Sequence, residues 1–155
     1  MAWSDSRIFV RYLKDIMDRT AGMDLDGDSY KVALYNNSIT PDRTVASAST
    51  GFNTGQWATA NEITDATNWV SGGRTLAGVT WTPSAGVITF DANDLAGGGT
   101  LTLAATYGCL VYDDTIATPV ADQGACFNYF GGANQVTSGT FTIVWNASGI
   151  YTLTV

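Results

Sequence analysis

The chain has 155 residues, enough for one domain with a core of its own. Its net charge of −7 and pI near 4.1 argue against a nucleic-acid partner, because such binding rests on Lys and Arg neutralising phosphates. Histidine is absent, so serine triads, most catalytic zinc sites and the usual general base lose their commonest member. Only 14% of residues are charged, which leaves a surface of Thr, Ser, Asn and Gly.

Residues 1–28 form a head that differs in charge from residues 29–155. Arg7, Arg11, Lys14 and Arg19 fall in the first nineteen positions beside three acids. The remaining 136 residues hold three bases and eleven acids, a net of −8. In the head, Ile8, Phe9, Tyr12, Leu13, Ile16 and Met17 recur at spacings of three and four, the stripe of an amphipathic helix. Ser4 or Asp5 is placed to cap its start, and Gly22 to stop it. The stripe either packs on the protein's own core or docks on another subunit. The N-terminal stretch has no long apolar run, so neither a secretory signal nor a membrane span is expected.

From residue 29 the period changes to two. "YKVALY" alternates as a strand. Residues 36–72 are rich in Asn, Thr, Ser and Gly and predict long loops, with a short strand or turn near "QWATANEI". "RTLAGVTW" and "GVITFDA" flank "TPSAG" and predict a hairpin turning at Pro83 and Gly86. "LTLAATYGCLVYDD" is apolar enough for a central strand, and "GACFNYF" can pair with it across the following loop. "GTFTIVWNASGIYTLTV" predicts a second hairpin, turning at Asn146 to Gly149. Six to eight antiparallel strands and one helix point to a mainly β protein, a sandwich or small barrel.

Four constellations bear on chemistry. In "DLDGD", Asp24, Asp26 and Asp28 have the spacing that opens a calcium loop. Position six is Ser29 rather than glycine and position twelve is Tyr35 rather than glutamate, so a solvated turn is the better reading. Cys109 and Cys126 are too few for a disulfide framework and are expected as buried thiols, with a bond across adjacent strands as the alternative. The pairs Asp113–Asp114 and Asp91–Asp94 fall at strand ends, where aspartate does ordinary turn work, and no acid–base partner accompanies them. Of the five tryptophans, Trp57 and Trp69 lie in the polar loop segment and are expected as surface anchors, either for a partner or for stacking on sugars. No cofactor or metal is expected.

The body resembles a family of small structural proteins of tailed-bacteriophage particles. The likeness spans residues 29–155 and is carried by "YKVALYNNSITPD", "NEITDATNWVSGGRTLAGVTW", "YGCLVYDD" and "FGGANQVTSGTFTIVWNASGIYTLTV". These are patterns of strands and turns, not catalytic motifs. The resemblance implies a non-enzymatic virion component made in the bacterial cytoplasm, most simply a capsid decoration or minor capsid protein. Its partner would be the major capsid protein or another virion protein, with self-association, a trimer for instance. A tail or neck protein and a carbohydrate-binding adhesin are the alternatives. The residues expected at the interface are Ile8, Phe9, Tyr12, Leu13 and Ile16 on the helix and Phe52, Trp57 and Trp69 in the loops.

Overall fold

The computed structural model describes residues 3–18 and 22–155. Among them are one α-helix, α1 (Val10–Met17), and eleven strands. These are β1 (Arg7–Ile8), β2 (Tyr30–Tyr35), β3 (Glu62–Ile63), β4 (Arg74–Thr75), β5 (Thr80–Ser84), β6 (Val87–Asp91), β7 (Leu95–Ala96), β8 (Leu101–Asp113), β9 (Gly124–Gly139), β10 (Thr142–Ile143) and β11 (Tyr151–Thr154). The main sheet runs β1-β9-β8-β2-β3, with β4 also on β2. A smaller sheet runs β11-β6-β5, and β10 pairs with β7. All pairings are antiparallel, and the fold is sandwich-like.

The centre of the main sheet is buried on both faces, which explains why its strands are apolar rather than alternating in polarity. On one face, Tyr30, Val32 and Leu34 lie beside Val111 and Cys109. The small sheet covers this face, with Phe90 edge-on to Tyr30 at 5.0 Å and stacked on Tyr151 at 4.9 Å. On the other face, Ala33 and Tyr35 share the surface with Leu110, Tyr112 and Phe127. Here the cover is irregular chain. Residues 36–61 fold into three single 3-10 turns that press Trp57 against Tyr35, Phe9, Phe127 and Trp3, with ring centroids 5.1 to 5.9 Å apart. Phe52 stacks on Tyr112 at 5.1 Å.

The head is part of this core. Phe9 donates its N–H to the Ala125 carbonyl at 3.0 Å, so residues 7–9 join the sheet before the helix begins. Ile8 therefore sits on a strand. The N-cap is Phe9, without a side-chain bond, rather than Ser4 or Asp5. The helix ends at Met17, with the Asp18 N–H on the Lys14 carbonyl at 2.9 Å, well before Gly22. Its stripe faces inward at Tyr12 and partly at Leu13 and Ile16, while Met17 is exposed. Tyr12 is buried and meets Tyr30 hydroxyl to hydroxyl at 3.0 Å. Asp15, on what the periodicity marks as the polar side, is also buried. Its Oδ2 accepts bonds from Ser47 Oγ and Gln123 Nε2, both at 2.8 Å.

Two turns depart from the sequence expectation. The β5–β6 hairpin turns at Ala85 and Gly86, whose φ values of 48° and 79° form a two-residue loop matched to strand twist. Pro83 sits inside β5 opposite Ile88, on an edge strand where a missing N–H is tolerated. Residues 140–155 are not a hairpin. The turn at Asn146–Gly149 is real, with Gly149 N–H on the Asn146 carbonyl at 2.8 Å, but β10 goes to β7 and β11 to β6.

Candidate interaction surface

A groove of about 900 Å³ opens where α1 meets the edge strands β1 and β11. Ile8, Val10, Leu13 and Met17 form one wall, and Ile150, Tyr151 and Thr152 the other. Its apolar lining reaches solvent: Val10 is 51% exposed and Met17 84%. Arg7, Lys14 and Arg43 stand at the rim with one carboxylate, Asp18. Arg7 pairs with Asp5 at 3.0 Å and Lys14 with Asp18, while Arg43 has no ion pair among the described residues. A patch with this many cations is unusual on a chain of net charge −7. It offers apolar area together with attraction for acid.

The structure divides the residues expected at an interface. Ile8 and Leu13 line the groove, and Ile16 is half-buried against the core. Phe9, Tyr12, Trp57 and Trp69 are fully buried within the single chain and offer no surface to a partner or a sugar. Phe52 is half-buried, its ring lying on Tyr112. The expectation of exposed loop tryptophans is corrected for a physical reason: the loops form the second cover of the sheet, and only large rings fill the space beneath them. Trp69 likewise packs edge-on to Phe141 at 5.7 Å, with the Arg74 guanidinium 6.0 Å from its ring centre. Sequence reasoning missed Val10, Arg43, Ile150 and Tyr151. Val10 carried a signal, an apolar residue off the buried stripe, but the other three come from distant segments.

The carboxylates do structural work. In "DLDGD", the Asp28 carboxylate accepts the Asp24 N–H at 2.7 Å, and Asp28 N–H donates to the Asp24 carbonyl at 2.7 Å, closing a turn. No three metal-ligating side chains converge among the described residues. Asp113 and Asp114, adjacent on the chain, part company. Asp114 bonds Lys31 at 2.8 Å, whereas Asp113 is fully buried. Burial, and secondarily the nearby Asp28 carboxylate, push the Asp113 carboxyl up to about 7. Asp94 accepts the Trp145 N–H at 3.0 Å, a bond between loops. Glu62 accepts from Ser71 Oγ at 2.7 Å and Gly72 N–H at 2.9 Å. Cys109 and Cys126 are free and buried, and burial raises the Cys109 thiol to about 12, which removes its nucleophilicity at neutral pH.

Compared with known protein families, curated proteins and solved structures, the chain matches none. Among the described residues no helix is long and apolar enough to cross a membrane.

Proposed function

We propose that the protein is a structural component of a bacteriophage particle, a capsid decoration or minor capsid protein that binds the major capsid shell. The observation that carries the reading is the solvent-open apolar groove with a cationic rim on an otherwise acidic body. Apolar surface of this kind is stabilised by being covered, and protein is the cover that suits its size. The strand-and-turn likeness of residues 29–155 to phage structural proteins supplies the setting. In a particle, many copies act together, so each contact can be modest. An adhesin stacking sugars on Trp57 or Trp69 has no platform, because both rings are buried.

The test is mass spectrometry of purified particles from the producing host, followed by electron microscopy. The protein is expected at high copy number, with density on the head facets. Density along the tail would make it a tail or neck component, and absence from particles would end the virion reading.

A further inference from the structure

β9 is sixteen residues long, yet β1 covers only two of its positions, Cys126 and Phe127. The Tyr129 N–H donates to the Ser6 hydroxyl at 2.9 Å, and from Phe130 to Gly139 no strand covers this side of β9 among the described residues. Two smaller cavities continue the groove along this bare edge. The first shares Ser6, Asn128 and Ile150 with it and reaches Phe130 and Trp145; the second runs on to Phe141 and Asn134. The resulting trough passes β9 from Cys126 to Asn134; its uncovered part, from Phe130 to Asn134, spans at most about 13 Å at about 3.3 Å per residue, because β9 bulges there against β8. Gly131 and Gly132 have left-handed φ values of 80° and 159°, and no atom lies within 4 Å of where their Cβ atoms would stand. The stretch "FGGANQVTSG" carries none of the lysines or prolines that block a free edge.

We propose that this trough receives an extended segment of a partner protein, added as a strand along β9 in line with β1. Its apolar side chains enter the trough at alternate positions, and its carboxylates lie at the α1 end. Unpaired N–H and C=O groups of an edge strand supply affinity in strand addition, while side-chain pockets at a period of two supply selectivity. The α1 end has three cations against two carboxylates, Asp5 and Asp18, and Arg43, which has no ion pair among the described residues, is the cation left to favour an acidic segment. A second copy of the chain is the poorer occupant, because two bodies of net charge −7 repel. The proposal rests on the reading that this face docks protein, but not on which particle or partner is involved.

The test selects random twelve-residue peptides on the immobilised full chain. Enriched peptides are expected to alternate apolar residues and to carry Asp or Glu near one end. Adding the best peptide is expected to slow hydrogen exchange at the edge-facing amides within residues 130–136. Val144→Lys, at a position 71% exposed in the trough, is expected to weaken that peptide about tenfold or more. Arg43→Glu is expected to weaken it about tenfold, with circular dichroism unchanged in both variants. Three results would overturn the proposal. One is a selection that enriches nothing over scrambled sequences. Another is a peptide that protects α1 but not β9, or binds both variants as well as the parent. The third is sedimentation showing self-association of the parent that Val144→Lys abolishes, which would put a second copy in the trough. Absence of the protein from particles sinks the virion reading and leaves these binding results untouched.

Discussion

On one side of the main sheet, β2 is covered along both its halves, by β3 at Leu34 and Tyr35 and by β4 at Lys31 and Val32. On the other side, β9 is paired with β1 for two residues, and among the described residues no strand covers it from Phe130 onward. The covered edge is made by one segment, residues 62–75, and its closure has identifiable parts. Glu62 reaches back to the turn at Ser71 and Gly72, and the Gly72 carbonyl takes the Tyr112 hydroxyl at 2.6 Å. Gly73, at φ 77°, brings the chain against β2 so closely that a Cβ there would stand 1.9 Å from the Val32 carbonyl oxygen. Asp65 holds the same segment to β8, accepting from Thr67, Asn68 and Thr102 N–H groups. The difference teaches that this fold uses several side chains to close one edge and, beyond Ser6 at Tyr129, few to close the other. An edge left bare beside an apolar groove is what a binding protein needs and what a solitary one avoids.

The comparison is broken most forcefully at Gly73. Gly73→Ala meets both the backbone clash and a left-handed φ, and is expected to cost at least about 3 kcal/mol in urea unfolding. A loss under about 1 kcal/mol would show that the covered edge is not held there. Glu62→Ala strips two hydrogen bonds from the same closure and is expected to cost about 1–3 kcal/mol.

A third test uses pH. Asp113 ends β8 opposite Tyr30, and its carboxyl is raised to about 7 from an ordinary value of 3.8. Between those values the folded chain holds a proton that the unfolded chain has released. Stability from this group is therefore present at low pH and lost as pH rises from about 4 to about 7. Asp113→Asn is expected to raise the melting temperature at pH 8 and to change it little at pH 4. Equal pH dependence in variant and parent would mean that the carboxyl is charged in the fold. The smallest effect belongs to the bare edge. Val144→Lys is expected to shift stability by no more than about 0.5 kcal/mol, since an exposed position away from packing tolerates substitution. A larger loss would show that the trough is part of the core.

Much of the fold was legible where local pattern and tertiary need agree. "YKVALY" alternates and forms β2, and the apolar run over residues 101–114 forms β8 against β9. The failures come from contacts across long stretches of chain. The helix start was misplaced because β1 is defined by its pairing with Cys126 and Phe127, which no local spacing reveals. Asn146–Gly149 has true turn chemistry, yet a turn does not state whether its flanks pair with each other or with strands elsewhere. Trp57 was placed outside because its neighbours are polar; those neighbours face solvent on the outer side of a cover whose inner side is aromatic. The groove was half legible, since the head's periodicity named Ile8 and Leu13, while Arg43 and Tyr151 join them only through the fold.

The junction of head and β9 has a consequence for how the molecule is made. Arg7 and Ile8 find their ladder on residues that leave the ribosome about 120 residues later, and Trp3 lies against Phe127. A two-residue strand has no stability of its own, and pairing over such separations is slow. Residues 7 and 8 therefore stay unseated until residues 126 and 127 have been synthesised. The groove between α1, β1 and β11 exists only once residues 7–17 and 150–152 have met. A chain cut short before residue 150 cannot present this groove, because two of its walls come from segments more than 130 residues apart.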